Sequence, residues 1–249
     1  MGKVTKKEIL DFIEPHIQIF HKRRLENLLR LKFKTILKKK NPYLFKAKNI
    51  ITAPDLVKSL LDAYLSSQEE TIFGGFLEEL AIFICNKVYI GKKSSAEGID
   101  LELDKNGTKY IVTIKSGPNW GNSQQILRMK DNFRKAKRIL GTNVSNGKII
   151  AVNGCCYGKD NYPNKGDYLK LCGQTFWEFI SGNENLYIEI IEPIGHKAKE
   201  KNEKFLEEYA KVINKFTIEF AKDYCDSSGS ILWDKLVKFN SGNPGKLTH

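Results

Sequence analysis

Two acids and a lysine stand on either side of a short turn in the middle of the chain. Asp100 and Glu102 precede the turn, Lys115 follows it, and the dipeptide Asn106-Gly107 lies between them. Carboxylate oxygens are ligands that Mg²⁺ prefers, and an ammonium group neutralises negative charge that develops on phosphorus. These residue types therefore suit metal-assisted hydrolysis of a phosphodiester bond, provided that the fold brings them together.

The sequence around these residues predicts a β-hairpin. Residues 99–103 and 109–114 alternate in character, and Asn-Gly is the strongest short signal for a type I′ turn. Counting outward from the turn predicts these opposed pairs: Lys105 with Thr108, Leu103 with Tyr110, Glu102 with Ile111, and Asp100 with Thr113. Alternation then assigns to the core face Ile99, Leu101, Leu103, Tyr110, Val112 and Ile114. The opposite face carries Asp100, Glu102, Ile111, Thr113 and Lys115.

On this second face we expect Asp100 to bind the metal ion and the main-chain carbonyl of Ile114 to add a ligand. The register makes Asp100 and Lys115 diagonal neighbours, roughly 7–8 Å apart at their α-carbons. Lys115 would then lie beside the attacking water or the phosphate, and Glu102 would flank Asp100. The alternative is an exposed polar face on which an acid and a lysine meet by chance.

The loop after Lys115 consists of small and amide-bearing residues, Ser-Gly-Pro-Asn-Trp-Gly-Asn-Ser-Gln-Gln. Such a loop suits close approach to a sugar-phosphate backbone and hydrogen bonding to it or to base edges. A predicted helix follows, and its outward basic residues suit phosphate contacts. The candidate DNA-binding residues are Ser116, Asn119, Trp120, Asn122, Ser123, Gln124, Arg128, Lys130 and Arg134. Trp120 either contacts DNA or packs in the core, and residues 154–158 form either a DNA-facing loop or a structural turn.

Positive charge is clustered along the chain, whose 249 residues carry a formal net charge of +12. Residues 22–48 hold eleven Lys and Arg against one acid, and residues 128–138 hold six against one. This density indicates a polyanionic partner such as nucleic acid, because each neutralised phosphate releases counterions. The alternative is a set of solvated helix faces without a ligand.

Several classes of protein do not fit the sequence. No stretch approaches the roughly 20 apolar residues of a membrane helix, and the N-terminus lacks the apolar core of a signal peptide. The five cysteines show no CxxC spacing, which argues against a zinc ribbon and a disulfide framework. No Walker loop or dinucleotide fingerprint is present, so no nucleotide cofactor is expected. We therefore expect a soluble intracellular protein.

Three segments resemble type II restriction endonucleases of the PD-(D/E)xK nuclease superfamily. The first is Gly98-Ile-Asp, a hairpin, and then Ile114-Lys-Ser-Gly-Pro-Asn-Trp-Gly-Asn. The others are Leu171-Cys-Gly-Gln-Thr-Phe-Trp-Glu-Phe-Ile-Ser-Gly and Lys40-Asn-Pro-Tyr-Leu-Phe-Lys-Ala-Lys-Asn. The resemblance extends from about residue 37 to about residue 225.

The resemblance implies that Asp100 is the motif aspartate and Lys115 the motif lysine. The position two before the lysine, where the family carries Asp or Glu, is Thr113 in this chain. Similar nucleases often take an acid from the preceding helix, and Glu78 is the preferred candidate for catalysis and metal binding. Glu79 and Glu102 are its rivals, and Glu102 is also a candidate metal ligand.

The expected fold is α/β, or α+β, with a restriction-endonuclease-like mixed central sheet of four or five strands flanked by helices and a helical N-terminal region. Periodicity predicts helices over residues 6–39, with a break at Pro15, and over residues 69–86, with another helix beginning at Ala53. Asn122 is expected to cap a helix with Gln125. Residues 148–152 and 186–192 are expected to form strands, and residues 196–224 a helix.

Three regions are predicted along the chain. Residues 1–68 form a basic helical region that embraces DNA or mediates dimerisation. Residues 69–225 form the nuclease core, and residues 226–249 form a partly frayed C-terminal extension.

The resemblance implies a type II site-specific deoxyribonuclease that hydrolyses double-stranded DNA with Mg²⁺. Palindromic targets are usually read by two-fold dimers, so a homodimer is expected, and the resemblance implies functional pairing with a DNA methyltransferase. Such an enzyme would work in the cytoplasm of a prokaryotic cell, without membrane contact. Two alternatives stay open: a structure-selective or repair nuclease of the same fold, and a non-catalytic DNA-binding module.

Overall fold

The computed structural model describes residues 2–141 and 148–243. Its helices are α1 Lys6–Leu29, α2 Phe33–Lys39, α3 Pro42–Ala47, α4 Ala53–Tyr89, α5 Ser123–Gly141, α6 Gln174–Ser181, α7 Leu186–Glu189, α8 Ile191–Gly195, α9 Ala198–Tyr224 and α10 Trp233–Ser241. Its strands are β1 Lys92–Lys93, β2 Leu101–Lys105, β3 Thr108–Lys115, β4 Ile149–Cys155 and β5 Leu169–Cys172. Residues 244–249, part of the predicted frayed extension, lie outside the described residues.

Two compact units divide the chain. The first combines residues 1–20 with 72–196, and the second combines residues 21–71 with 197–249. The three regions predicted over residues 1–68, 69–225 and 226–249 stay predictions beside this division. Helix α9 belongs to the second unit because its Phe216 and Phe220 share a core with residues of α2 and α4. The functions assigned to the three regions stay predictions.

The first unit is built on one five-stranded sheet with the strand order β1-β2-β3-β4-β5. Strands β1, β2 and β3 pair antiparallel, whereas β3, β4 and β5 pair parallel. The prediction of a mixed central sheet flanked by helices is therefore confirmed. Its last strand, β5, lies in the Leu171 segment, where the alternation is too short to predict a strand.

The hairpin of β2 and β3 has the predicted turn and register. Asn106 and Gly107 have φ angles of 53° and 73°, and a type I′ turn requires positive φ at both positions. The ladder pairs Lys105 with Thr108, Leu103 with Tyr110, and Glu102 with Ile111. The turn chemistry thus fixes which side chain opposes which, as the sequence predicts.

Helices cover both faces of the hairpin. The expected core face packs against α1, α4 and α6, and its buried members are Leu101, Leu103, Val112 and Ile114. The other face packs Ile111 against Met129 and Phe133 of α5. Ile99 lies in this second cluster, so its predicted place beside Leu101 is wrong. The reason is that Ile99 precedes β2, where strand alternation does not yet apply.

Two predictions about helix boundaries are also wrong. Pro15 lies inside α1 and does not interrupt it. Proline removes one helical hydrogen bond, but the neighbouring Ile13 and Ile17 are buried in the core and hold the helix on both sides of that position. The two helices predicted between residues 53 and 86 form one continuous helix, α4, because no proline interrupts the run after Pro54.

Residues 186–192 form the short helices α7 and α8, so the predicted strand is wrong. Leu186 and Ile190 are both buried, and their four-residue spacing is the helical period. A short apolar run does not distinguish the two periods by itself. Helix α5 begins as predicted, since Asn122 Oδ1 accepts the Gln125 N–H at 3.0 Å and Gln125 Oε1 accepts the Asn122 N–H at 2.9 Å.

The described part of the second unit contains helices and no paired strands. Its main core joins α2, α4, α9 and α10, and includes Phe33, Leu60 and Phe220. Asn41 caps α3 by accepting the N–H groups of the next turn, and Pro42 occupies the first helical position. Across residues 2–141 and 148–243, no helix is long and apolar enough to span a bilayer.

Candidate active site

The carboxylate of Asp100 is held by the strand opposite it. Its Oδ2 atom accepts the Ile114 N–H at 2.6 Å and the Thr113 hydroxyl at 3.2 Å. The Asp100 N–H in turn donates to the Val112 carbonyl at 2.9 Å. Asp100 therefore lies opposite Thr113, as the register predicts, and its side chain is fixed at the end of the β2–β3 ladder.

Gly98 brings the chain into this position. Its φ angle is +71°, and a Cβ at residue 98 would overlap the side-chain amide of Asn132 on α5. Glycine satisfies both conditions because it has no Cβ and adopts positive φ without steric cost. Asn132 is buried, so it limits how the Gly98-Ile99-Asp100 segment enters β2.

Glu78 projects from α4 into the same region. Its side chain is 30% exposed, and its Oε1 lies 3.8 Å from the Lys93 ammonium group. Burial raises the pKa of Glu78 above its ordinary value, and the negative charge of Asp100 raises it further, whereas Lys93 and Lys115 act against this increase. The structure thus brings Glu78, Asp100 and Lys115 close enough for their charges to interact.

The two rival acids have different surroundings. Glu102 is only 6% exposed, and its Oε1 accepts the Ser94 hydroxyl at 2.6 Å. Glu79 points away into solvent, where its carboxylate lies 3.6 Å from His16. Glu78 is the candidate acid whose pKa is raised by the negative charge of Asp100.

Lys115 is the last residue of β3, and its ammonium group lies 5.3 Å from the ring centre of Trp120. The Trp120 indole N–H donates to Asn153 Oδ1 at 3.1 Å, and the ring packs partly against the α5 cluster. Trp120 is thus neither a free surface aromatic nor a fully buried core residue. It forms one wall beside the lysine.

The donor set around Asp100 fits a hard divalent cation in kind. Asp100 and Glu78 offer carboxylate oxygens, which are ligands of such cations. Repulsion between the two carboxylates contributes to the raised pKa of Glu78, and a bound cation would reduce this repulsion. The Ile114 carbonyl lies on the same strand edge as the Val112 carbonyl, which accepts the Asp100 N–H. Among the described residues, no group of three or more His, Cys, Asp and Glu is arranged to hold a metal. Two carboxylates and one carbonyl therefore define the candidate centre.

Comparison with protein families shows which family the chain belongs to. The family model of the type II restriction endonuclease EcoO109I matches residues 7–202, which is most of the chain. The protein belongs to the EcoO109I family of type II restriction endonucleases. The matched range includes the hairpin, Glu78, Lys115 and the loop that follows. None of the curated proteins compared with the chain matches it.

In this EcoO109I-family protein, the candidate DNA-binding residues lie in the loop between β3 and α5 and on α5 itself. Asn119, Asn122, Ser123 and Gln124 are exposed, and Ser116 is half-buried. The three basic residues of α5 that are predicted to contact DNA each pair with an acid: Arg128 with Glu97 at 3.4 Å, Lys130 with Asp167 at 3.0 Å, and Arg134 with Asp131. Such surface pairs contribute little to stability, so a phosphate can replace the acid at low cost.

Sequence reasoning missed the residues that reach this site from elsewhere. Lys93 contacts Glu78 from β1, and Ser94 contacts Glu102. Neither lies in a motif, since β1 is only two residues long and its pairing with β2 follows from the fold. The need for glycine at residue 98 could be inferred in part from the sequence, because Gly98 directly precedes Ile99 and Asp100.

Proposed function

We propose that the protein is a Mg²⁺-dependent type II restriction endonuclease that cuts both strands of duplex DNA at a specific sequence. The observation that carries this proposal is the hydrogen-bonded carboxylate of Asp100, with Glu78 and Lys115 near it, in a chain of the EcoO109I family. Membership gives the class of enzyme, and the arrangement gives the chemistry that the hairpin supports.

Asp100, Glu78 and the Ile114 carbonyl would hold the metal ion. The bound ion would supply Lewis acidity toward a phosphate oxygen and lower the pKa of a water molecule. The Ile114 N–H and the Thr113 hydroxyl both donate to Oδ2 and orient the Asp100 carboxylate, and among the described residues no hydrogen bond to its Oδ1 is found. Glu102, also a predicted ligand, is already bound by Ser94, so we prefer Glu78.

Lys115 would lie beside the scissile phosphate. Lys115 is half-buried at the end of β3, and its ammonium group lies 5.3 Å from the ring centre of Trp120. In that place it donates to a phosphate oxygen or to the attacking water and opposes the charge that builds up on phosphorus. The catalytic residues we propose are therefore Asp100, Glu78 and Lys115.

DNA would extend from the hairpin over the loop after β3 and along α5. The contacting residues we propose are Ser116, Asn119, Trp120, Asn122, Ser123, Gln124, Arg128, Lys130 and Arg134. Because a palindromic site has two-fold symmetry, two copies of the chain would bind it as a homodimer. We further propose that a DNA methyltransferase protects the host target and that the enzyme works in the cytoplasm of a prokaryotic cell.

Plasmid digestion tests this function. A fully sequenced, unmethylated plasmid is incubated with the wild type, Lys115→Ala or Lys109→Ala, each with Mg²⁺ and with a chelator. Lys109 is the matched control because it lies at the other end of β3 and pairs with Asp104 at 3.0 Å. Discrete fragments are expected from the wild type and Lys109→Ala with Mg²⁺, and none from Lys115→Ala or in chelator.

The fragment ends then distinguish the proposal from its alternatives. Ends that share one sequence support a site-specific endonuclease. Intact plasmid together with cleaved branched DNA would instead indicate a structure-selective nuclease. Binding without cleavage of any DNA substrate would overturn the enzymatic function and leave a DNA-binding module.

A further inference from the structure

Tyr157 follows β4 and lies against the loop that follows β3. A Cβ at Gly117 would overlap the hydroxyl end of the Tyr157 ring, so the ring covers the Gly117 backbone at contact distance. The two loops are also joined through their main chains, because the Tyr157 N–H donates to the Ser116 carbonyl at 3.1 Å. One residue earlier, the Cys156 N–H donates to the Lys115 carbonyl at 2.9 Å. Tyr157 is thus built onto the segment that carries the motif lysine.

The loop that carries Tyr157 is held on its other side as well. A Cβ at Gly158 would overlap the Pro118 ring, so Gly158 packs directly on that ring. A Cβ at Gly173, just before α6, would overlap the carbonyl oxygen of Gly158. The Lys170 ammonium group donates to the Pro118 carbonyl at 3.0 Å. Since both chain directions from Tyr157 are anchored, the phenol ring has a defined place beside the loop after β3.

Despite these anchors, Tyr157 is 54% exposed. Among the described residues, no hydrogen bond to its hydroxyl group is found, although the ring end lies over Gly117. Tyrosine hydroxyls at binding surfaces usually find a polar partner, and the aromatic body supplies rigid contact area with few torsions to fix. A fixed ring whose exposed hydroxyl group can exchange water for a ligand, next to the loop of candidate DNA contacts, has the chemistry of a ligand contact.

We propose that Tyr157 is a DNA-contacting residue whose hydroxyl donates to a hydrogen-bond acceptor of the duplex next to the cleavage site. The acceptor is a phosphate oxygen, which tyrosine contacts in DNA complexes, or one of the acceptor atoms that base edges present in the grooves. The Tyr157 ring, whose hydroxyl end covers Gly117, packs on the loop of residues 116–118. This inference rests on the proposed function only in taking DNA as the ligand.

A purely structural role for Tyr157 makes a different prediction. If the ring only covers Gly117, then removing the hydroxyl group leaves DNA binding unchanged. Tyr157→Phe keeps the ring and its packing, so it separates the hydroxyl contact from loop support. Tyr162 is the matched control, because it belongs to the same β4–β5 connection and is 79% exposed.

The test measures binding in chelator, where cleavage does not occur. A fluorescent pool of random-sequence duplexes is titrated with the wild type, Tyr157→Phe, Tyr157→Ala, Tyr162→Phe and Tyr162→Ala, and the bound fraction is sequenced. Tyr157→Phe is expected to weaken binding about 3- to 10-fold, the effect of one lost hydrogen bond, and Tyr157→Ala somewhat more. Both Tyr162 variants stay within about twofold of the wild type.

The sequences of the bound fraction identify the acceptor. A contact to a base edge alters the enriched sequence at one position, whereas a contact to phosphate weakens binding and leaves that sequence unchanged. Wild-type affinity and wild-type sequences for Tyr157→Phe would overturn the inference, as would an equal loss in the Tyr162 variants. Plasmid cleavage by the wild type is scored separately, so its absence refutes the proposed nuclease and not this contact. Thermal unfolding of each variant identifies any loss that is due to misfolding.

Discussion

Thr113 donates its hydroxyl group to Asp100 Oδ2 at 3.2 Å, across the hairpin and two residues before Lys115. The family motif carries an acid at the position of Thr113, and an acid there would add a second negative charge beside Asp100. The hydroxyl instead stabilises the Asp100 carboxylate and carries no charge. The second negative charge near Asp100 comes from Glu78 on α4, whose pKa responds to Asp100.

Thr113→Val tests how much this hydroxyl contributes. Valine keeps the branched shape of a residue that is 3% exposed, and the Ile114 N–H still donates to Asp100 at 2.6 Å. We therefore expect a loss of only about 3- to 10-fold in the single-turnover cleavage rate, with the fold retained. Thr108→Val, at the start of the same strand, is the control. A loss as large as that of Asp100→Asn would show that Thr113 does more than orient the carboxylate.

Glu78→Gln is expected to reduce cleavage on the order of 100-fold or more, because it removes one of two negative charges that would hold the metal. Glu79→Gln is the matched control, since it makes the same change one residue later on the exposed side of α4. Cleavage rates and Mn²⁺ binding by calorimetry are measured for both variants. Near-normal metal binding by Glu78→Gln, together with a large loss in Glu102→Gln, would transfer the role to Glu102.

The raised pKa of Glu78 predicts how stability depends on pH in chelator. The folded protein binds the Glu78 proton more tightly than the unfolded chain, whose value is near the ordinary 4.5. Ionisation of Glu78 therefore costs stability, and this cost grows as pH rises from 4.5 through the folded pKa. Glu78→Gln removes the cost.

Thermal unfolding in chelator between pH 4 and pH 8 checks the direction of this pH dependence. The range includes 4.5, the ordinary pKa of the Glu78 carboxyl group. The melting temperature of Glu78→Gln relative to the wild type should increase with pH and level off above the folded pKa. A difference that stays constant across the range would mean that Asp100 and burial do not perturb Glu78. A difference that declines with pH would mean that Lys93 and Lys115 outweigh both.

The parts of the fold that the sequence predicts well are those set by local chemistry. Asn106-Gly107 specifies a type I′ turn, and the turn specifies the pairing of Glu102 with Ile111. Asn122 and Gln125 form a reciprocal cap because both partners lie within one helical turn. The paired residues lie only three to nine positions apart in the chain, so their spacing is enough to predict that they meet.

Longer-range packing decides the features that were predicted wrongly or missed. Ile99 faces α5, and α1 continues through Pro15, because residues far away in the chain bury the side chains concerned. The candidate site shows the same division. The positions of Asp100 and Lys115 follow from hairpin geometry. The contact of Lys93 with Glu78 depends instead on the pairing of β1 with β2, which the local sequence does not predict.

Gly98→Ala tests whether the approach of α5 positions Asp100. The Cβ would overlap the Asn132 amide, and the φ angle of +71° is unfavourable for alanine. We expect a destabilisation of about 1–2 kcal/mol from the backbone and a further 1–3 kcal/mol from the overlap. Because the strain is relieved by moving the segment before β2, cleavage should fall more steeply than stability. Denaturant unfolding and single-turnover rates measure the two effects.

Gly107→Ala is the matched control for this change. Gly107 has nearly the same φ angle, +73°, but nothing lies within 4 Å of the added Cβ. Its loss of stability therefore reports the backbone cost alone, and cleavage should stay close to the wild type. Adding Asn132→Ala to Gly98→Ala removes the amide that the Cβ would meet, so it should recover cleavage in part while the backbone cost remains. If Gly98→Ala and Gly107→Ala behave alike, Asn132 does not position Asp100, because the overlap then costs nothing measurable.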